Sequence, residues 1–249
     1  MPVLAHISDT HFDGGERSAE RARRAMDYIA RMRTVDAVVH TGDVADKGTA
    51  QEYAQARRTL RCAVPLLVCP GNHDVRAALR EHLLDEASGP GPLDRVHHLP
   101  GATVITCDTS VPEEPWGRLE EDTLDTVEAE LRRTPADTPV VLAFHHPPVE
   151  LGSDDTDPIR QRGEQRLAEL VGRRPQVVAM LCGHVHSAAA TTFAGRPLLV
   201  APAVASTLRT DWEPADGAGG AGGAHEAPVM IAFHHIGADG RVTTHYRAV

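Results

Sequence analysis

The stretch Pro70-Gly71-Asn72-His73-Asp74 constrains this chain more than any other. It follows an apolar run, Val64 to Cys69, with the length and composition of a buried strand. The run stops abruptly at Pro-Gly, a turn signal. An amide, an imidazole and a carboxylate then stand in succession, a costly trio to bury unless a site uses them. In α/β proteins such sites form in the loops that follow the C-terminal ends of strands. An Asn- and Asp-rich turn is common by itself, so its companions decide the reading.

Four other apolar runs end in the same way. Val3 to Ile7 leads to Asp9-x-His11, and Asp36 to His40 leads to Gly42-Asp43. Pro139 to Phe144 leads to His145-His146, and Gln176 to Cys182 leads to Gly183-His184-x-His186. Between these runs, apolar residues recur at helical spacing: Ala22, Met26 and Ile29, then Leu124, Val127 and Leu131, then Leu167, Leu170 and Val171. Residues 50–60 and 75–84 also read as helical. Strand alternating with helix predicts an α/β fold. Beyond His186 the pattern changes to short β-like runs at residues 188–193, 197–200, 229–235 and 241–246, with no helix between them. The expectation is one domain over 1–249. Residues 1–187 form its metal-binding α/β core, and 188–249 form a β-rich layer that completes it. The run Gly217 to Gly223 is low in complexity and reads as a flexible loop.

Asp-x-His and His-x-His place alternate side chains on one side of an extended segment, so both members reach one centre. Glycine before Asp43, Asn72 and His184 allows a tight approach to such a centre. Oxygen and imidazole donors without thiolate favour iron, manganese, zinc or cobalt. Two carboxylates, an amide and several imidazoles are too many for one ion with an open position. They suit two ions that share a carboxylate. The formal charge of −10 argues against a general nucleic-acid binder, which needs a basic face. The four cysteines are scattered singly and read as free thiols, mostly buried. No basic, apolar leader precedes Val3 and no apolar run reaches spanning length, so the expectation is a cytoplasmic chain without a membrane span.

The ordered set D-x-H, GD, GNHD, H and GHxH from Asp9 to His186 resembles the signature of the calcineurin-like metallophosphoesterases. His6-Ile7-Ser8-Asp9-Thr10-His11, the segment Thr41 to Gly48, Asp108-Thr109-Ser110 and His145-His146-Pro147-Pro148 resemble the bacterial class III cyclic-nucleotide phosphodiesterases within it. The resemblance implies a four-layer αββα sandwich, two mixed β-sheets flanked by helices, with a dinuclear centre at the strand ends. One ion would take Asp9, His11, Asp43 and His186, and the other Asn72, His145, His184 and the bridging Asp43. Iron and manganese are the implied ions, with zinc and cobalt as alternatives. His73 would face the substrate phosphate beside Asn72. Asp46 matches the position whose carboxylate orients that histidine in related protein phosphatases, although beside Lys47 it also reads as a solvated loop acid. Purple acid phosphatases carry a tyrosine there, so a tyrosinate-ligated ferric centre is not expected.

The implied activity is hydrolysis of 3′,5′-cyclic AMP or GMP to 5′-monophosphates by a metal-bridging hydroxide. A glycerophosphodiesterase, or a phosphoesterase acting broadly on monoesters and diesters, is the alternative. A non-catalytic scaffold would show lost ligands, and all seven positions are filled. The implied partner is a small phosphodiester, and homodimers are frequent in the family. His146 is expected to support His145, and His6, His40, His234 and His235 read as ordinary residues.

Overall fold

The strands that carry these motifs are apolar at consecutive positions, the pattern of strands covered on both faces. The computed structural model, which describes residues 1–213 and 227–249, shows both covers. In chain order the elements are β1 (Val3–Ile7), α1 (Glu16–Ala30), β2 (Ala37–His40), α2 (Ala50–Thr59), β3 (Leu66–Val68) and α3 (Arg76–Ala78), which runs into a π-helical turn at Leu79–Leu83. Then come β4 (Arg95–Leu99), β5 (Ala102–Thr106), α4 (Glu121–Arg133), β6 (Val140–Ala143), α5 (Gln165–Arg173) and β7 (Val177–Cys182). The last four are β8 (Ala189–Phe193), β9 (Arg196–Val200), β10 (Met230–Ile236) and β11 (Val242–Ala248).

Two mixed sheets result, ordered β11-β10-β1-β2-β3 and β4-β5-β6-β7-β9-β8. Three apolar layers hold them. Ala22, Ala25, Met26 and Ile29 of α1 pack with Tyr53 and Ala56 of α2 against Ala5, Ile7 and Val38. Leu124, Val127 and Leu131 of α4 pack with Leu167 and Val171 of α5 against Val140, Leu142 and Met180. Between the sheets, Leu4, Val39 and Leu67 meet Val104, Val141, Ala179 and Leu181. Helix, sheet, sheet, helix is the αββα arrangement that the resemblance implied.

The tail departs from the expected single layer. Strands β8 and β9 extend one sheet, whereas β10 and β11 extend the other, with β10 antiparallel beside β1. Strand β4 is a further departure: it is only partly buried, and its Arg-Val-His-His-Leu sequence offers no apolar run to read. The 75–84 segment is helical, but most of it is the π turn. The glycine-rich run 217–223 lies outside the described residues.

The parallel strands of both sheets bring their C-terminal ends together. Ser8, just past β1, bridges Ala203, just past β9, and Val204 N–H donates to Ser8 O at 2.9 Å. Helix α2 fixes one loop at this edge. The Thr49 hydroxyl accepts from Glu52 N–H, and the Glu52 carboxylate accepts from the N–H groups of Thr49 and Lys47 at 2.9 and 3.0 Å. All four cysteines are free, three of them buried. Among the described residues no helix is long and apolar enough to cross a membrane.

Candidate metal centre

Five residues at the strand ends hold left-handed backbone: Asp9 (φ 52°), His11 (42°), Asp43 (51°), His184 (69°) and His186 (59°). Non-glycine residues take this conformation rarely, and clusters of such strain mark functional sites. The neighbouring glycines are required by contact. A Cβ on Gly42 (φ 92°) would lie 2.6 Å from Gly71 N and 2.8 Å from His145 Nδ1.

Two groups of donors form around Asp43. In the first, His11 Nε2 lies 3.2 Å from His186 Nε2 and 3.6 Å from Asp43 Oδ2, and His186 Nε2 lies 3.5 Å from Asp9 Oδ1. In the second, His145 Nε2 lies 3.2 Å from both Asn72 Oδ1 and His184 Nδ1, and 3.4 Å from Asp43 Oδ2. Asp43 Oδ2 therefore belongs to both groups, while its Oδ1 accepts from His73 N–H at 2.9 Å. All seven expected ligand residues come together in this way. The Asp9 carboxylate, fully buried, accepts from His184 N–H.

The donor set fits cations. His145 gives its Nδ1 proton to Thr41 O at 2.7 Å, so neutral His145 presents a bare lone pair from Nε2. That lone pair meets an amide oxygen and a carboxylate oxygen, both acceptors. Such convergence is unfavourable without a positive charge at its centre. Without an ion, a proton takes the place. Burial works against it, but Asp43 and Asp9 hold His145 up at about 9, and Asp46, Asp43 and Asp9 do the same for His11. Asp43 in turn is pulled well below the usual carboxylate range by His145 and His11, against the effect of burial.

A pH dependence follows. The two raised histidines stabilise the metal-free fold fully below their unfolded value near 6.5, and that contribution is lost as pH rises through about 9. An incoming ion must displace the same protons. Between pH 6.5 and 9, manganese binding should release up to two protons, and affinity should climb with pH. Calorimetric titrations in buffers of different ionisation enthalpy measure this. An affinity flat across the range would contradict the assignment of His11 and His145.

Comparison with known proteins places the chain in a family. The family model described as calcineurin-like phosphoesterase matches residues 2–188. The chain belongs to that family. It is 38% identical over 218 residues to a cAMP/cGMP dual specificity phosphodiesterase of Mycobacterium tuberculosis, covering 82% of this chain and 68% of the relative. It is 33% identical over 214 residues to a glycerophosphodiester phosphodiesterase of Enterobacter lignolyticus, covering 81% and 77%. Among solved structures, a dimetal phosphatase from Danio rerio superposes with a TM-score of 0.68 over 94% of this chain and 92% of its own, at 17% identity.

Around the candidate ligands of this phosphoesterase, Asp46 sits differently from the expectation. Its backbone carbonyl, not its carboxylate, accepts from His73 Nδ1–H at 2.8 Å. The carboxylate stands 3.5 Å from His11 Nδ1 instead. The reason is the left-handed turn at His11, which brings that imidazole edge-on to His73 and places it over Asp46. His146 is placed as a support. Its Nε2–H donates to Pro115 O and its Nδ1 accepts from the Thr109 hydroxyl, so both nitrogens already have partners, although a ring nitrogen lies within 4.8 Å of donor atoms of His145 and His184.

Two further residues serve the site: Asp74, noted only as part of its motif, and Arg76, which was not singled out. The buried Asp74 carboxylate accepts from Val44 N–H, Ala45 N–H, Gly71 N–H and the Tyr53 hydroxyl, at 3.0 to 3.1 Å. It thereby clamps the Asp43 loop to the Asn72 loop. Buried Arg76 pairs with Asp108 at 2.8 Å and donates to Ser110 O, tying the same loop to the end of β5. The fourth residue of the GNHD motif was the available signal for Asp74. Nothing in the sequence joined Arg76 to Asp108.

Proposed function

We propose that this chain is a two-ion phosphodiesterase acting on 3′,5′-cyclic AMP and GMP. The observation that carries it is the pair of donor groups sharing Asp43 Oδ2. Family membership and the relative named a cAMP/cGMP phosphodiesterase support the reaction and the substrate. Asp9, His11, Asp43 and His186 would hold one ion, and Asn72, His145, His184 and Asp43 the other. Iron or manganese suits this oxygen and nitrogen set. Two such ions supply a water acidic enough to attack phosphorus and a positive field for the phosphoryl oxygens.

The protein's own groups do the rest. Two ligand carboxylates against two divalent cations leave the site positive, so a phosphodiester anion is attracted despite the acidic chain. Asn72 ligates without adding charge and preserves that field. His73 is exposed and spends Nδ1–H on Asp46 O, which leaves Nε2 as its available nitrogen. In protonated form it donates to a phosphoryl oxygen or to the departing alkoxide. The four free thiols suit a reducing, cytoplasmic setting.

The test is hydrolysis of cyclic AMP by the manganese-loaded chain beside Asn72→Ala. We expect parental turnover to fall by more than about a hundredfold in the variant, with the second ion weakened. Full activity and two tightly held ions in Asn72→Ala would overturn the ligand assignment. Glycerophosphodiesters are the second reading, favoured by the 33% identical relative. A higher kcat/KM for a glycerophosphodiester than for either cyclic nucleotide would establish it.

A further inference from the structure

The largely apolar interface between the sheets contains a line of polar side chains beside the two donor groups. His6, Thr41 and Ser8 are fully buried and His234 nearly so. They come from β1, β10 and the ends of β1 and β2, and Thr244 of β11 completes the line. The contacts are continuous. Thr244 Oγ1 lies 2.8 Å from His234 Nδ1, and His234 Nε2 lies 3.0 Å from His6 Nδ1. His6 Nε2 lies 2.9 Å from Thr41 Oγ1, which donates to Ser8 Oγ at 2.8 Å. Strand alternation explains the placement: His6 shares a face with Leu4, and His234 with Ile236, both residues of the layer between the sheets. His234 and Thr244 are direct cross-strand partners.

The hydrogens along this line have one consistent order. Burial pushes the pKa of His234 down to about 3 and that of His6 well below its usual value, so each ring is neutral with a single N–H. Thr41 uses its hydroxyl hydrogen on Ser8, so it accepts from His6 Nε2–H. His6 Nδ1 then accepts from His234 Nε2–H, and His234 Nδ1 accepts from the Thr244 hydroxyl. Every link has one donor and one acceptor, and no imidazole nitrogen on the line is left without a partner. A buried network satisfied to this degree fixes its members in place, whereas a broken one is costly.

The two members nearest the site, Thr41 and Ser8, lie within two residues of Asp43 and Asp9 respectively. Thr41 is the first residue after β2, and its carbonyl takes the Nδ1 proton of His145. Its side chain is gripped by His6 at the same time. Ser8 immediately precedes Asp9. We propose that Thr244, His234 and His6 form a positioning relay that sets the Thr41 carbonyl, and through it the His145 ring, for the ion held with Asn72 and His184. His6 and His234 are positioning residues in this assignment, since neither reaches the donor groups. The relay also ties the ligand loops to β10 and β11, more than 180 residues further along the chain.

The inference rests on the two-ion reading, and manganese binding to the metal-free chain tests it without using turnover. Free Mn²⁺ is followed by electron paramagnetic resonance while the protein is titrated, for the parent and for His234→Leu, His234→Gln, His234→Asn and Thr244→Val. Leu131→Ala, a core truncation on the far side of the other sheet, is the control for lost stability. Loss of an outer hydrogen-bond partner of a metal ligand typically costs about 10- to 100-fold in affinity. We expect roughly tenfold weaker binding of one ion in His234→Leu, at the low end of that range, and a smaller weakening in Thr244→Val. Gln at 234 reaches far enough to donate to His6 Nδ1 and should restore affinity, whereas the shorter Asn should not, although it still meets Thr244. Leu131→Ala should lower the melting temperature and leave both affinities unchanged.

Parental affinity in folded His234→Leu, or the same loss in Leu131→Ala, would overturn the relay. If His234→Leu does not fold, Thr244→Val decides, and parental affinity there overturns it. A parent that fails to bind two manganese ions would instead sink the two-ion reading itself.

Discussion

Asp43→Asn should remain folded, bind at most one manganese ion, and lose phosphodiester turnover by at least about a thousandfold. The substitution keeps the shape of the side chain. Asn can still accept from His73 N–H through one oxygen, as Asp43 Oδ1 does at 2.9 Å. The loss is at the other atom. Asp43 Oδ2 stands 3.4 Å from His145 Nε2 and 3.6 Å from His11 Nε2, so it belongs to both donor groups. An NH₂ group there would aim hydrogens at an ion held by either group, and the two candidate ligand carboxylates would fall to one. The proton balance changes with it. His11 and His145 owe their raised pKa values partly to Asp43, so both should titrate at lower pH in the metal-free variant. Elemental analysis gives the ion count, NMR titration of the imidazoles gives the second effect, and a diester assay gives the third. Two ions per chain with turnover within tenfold of the parent would rule out Asp43 as the bridge.

Gly71→Ala should be nearly as damaging, by steric means alone. A Cβ at this position would lie 2.5 Å from Asp43 N and closer still to Asp43 Oδ1. The first is backbone and cannot swing away, and the second belongs to the shared ligand. Gly71 N–H is also held by Asp74, which grips Val44 and Ala45 as well. The added methyl therefore strains a loop clamped on both sides. Overpacking of this kind costs about 3 kcal/mol, which for a chain of this size lowers the melting temperature by roughly 6 to 12 °C. Metal affinity and turnover should fall together with stability. Gly89→Ala is the matched comparison, because a Cβ there meets nothing within 4 Å. Thermal melts of the two variants with and without manganese separate the effects. A Gly71→Ala protein that melts with the parent and keeps both ions would contradict the crowding argument.

The candidate ligands were legible because each lies within four residues of the end of its own strand. A buried apolar run followed at once by Asp, Asn or His is a local signal, and Asp9, Asp43, Asn72, His145 and His184 all carry it. The helix faces were legible for the same reason, since the spacing of Ala22, Met26 and Ile29 lies on one element. What depended on distant pairing was not. His6 and His234 each read as an ordinary histidine, because neighbours in antiparallel strands 228 residues apart leave no mark at either position. The division of the tail between two sheets was hidden likewise: four similar β runs do not state which edge each will join. The orientation of Asp46 turned on a backbone dihedral at His11, and residue identity does not report whether a carboxylate or its own carbonyl faces a neighbour.

The left-handed turns at Asp9, His11, Asp43, His184 and His186 bear on how such a chain can change over generations. Each holds a side chain in a conformation that costs about 1 kcal/mol relative to glycine. Together they forgo roughly 5 kcal/mol, comparable with the lower end of the stability of a whole domain. Glycine at any of the five would relieve the backbone strain and delete a candidate ligand in one step. Stability and chemistry therefore pull these positions in opposite directions. Breeding this protein for heat resistance alone, without a screen for activity, would favour variants that persist longer and catalyse nothing.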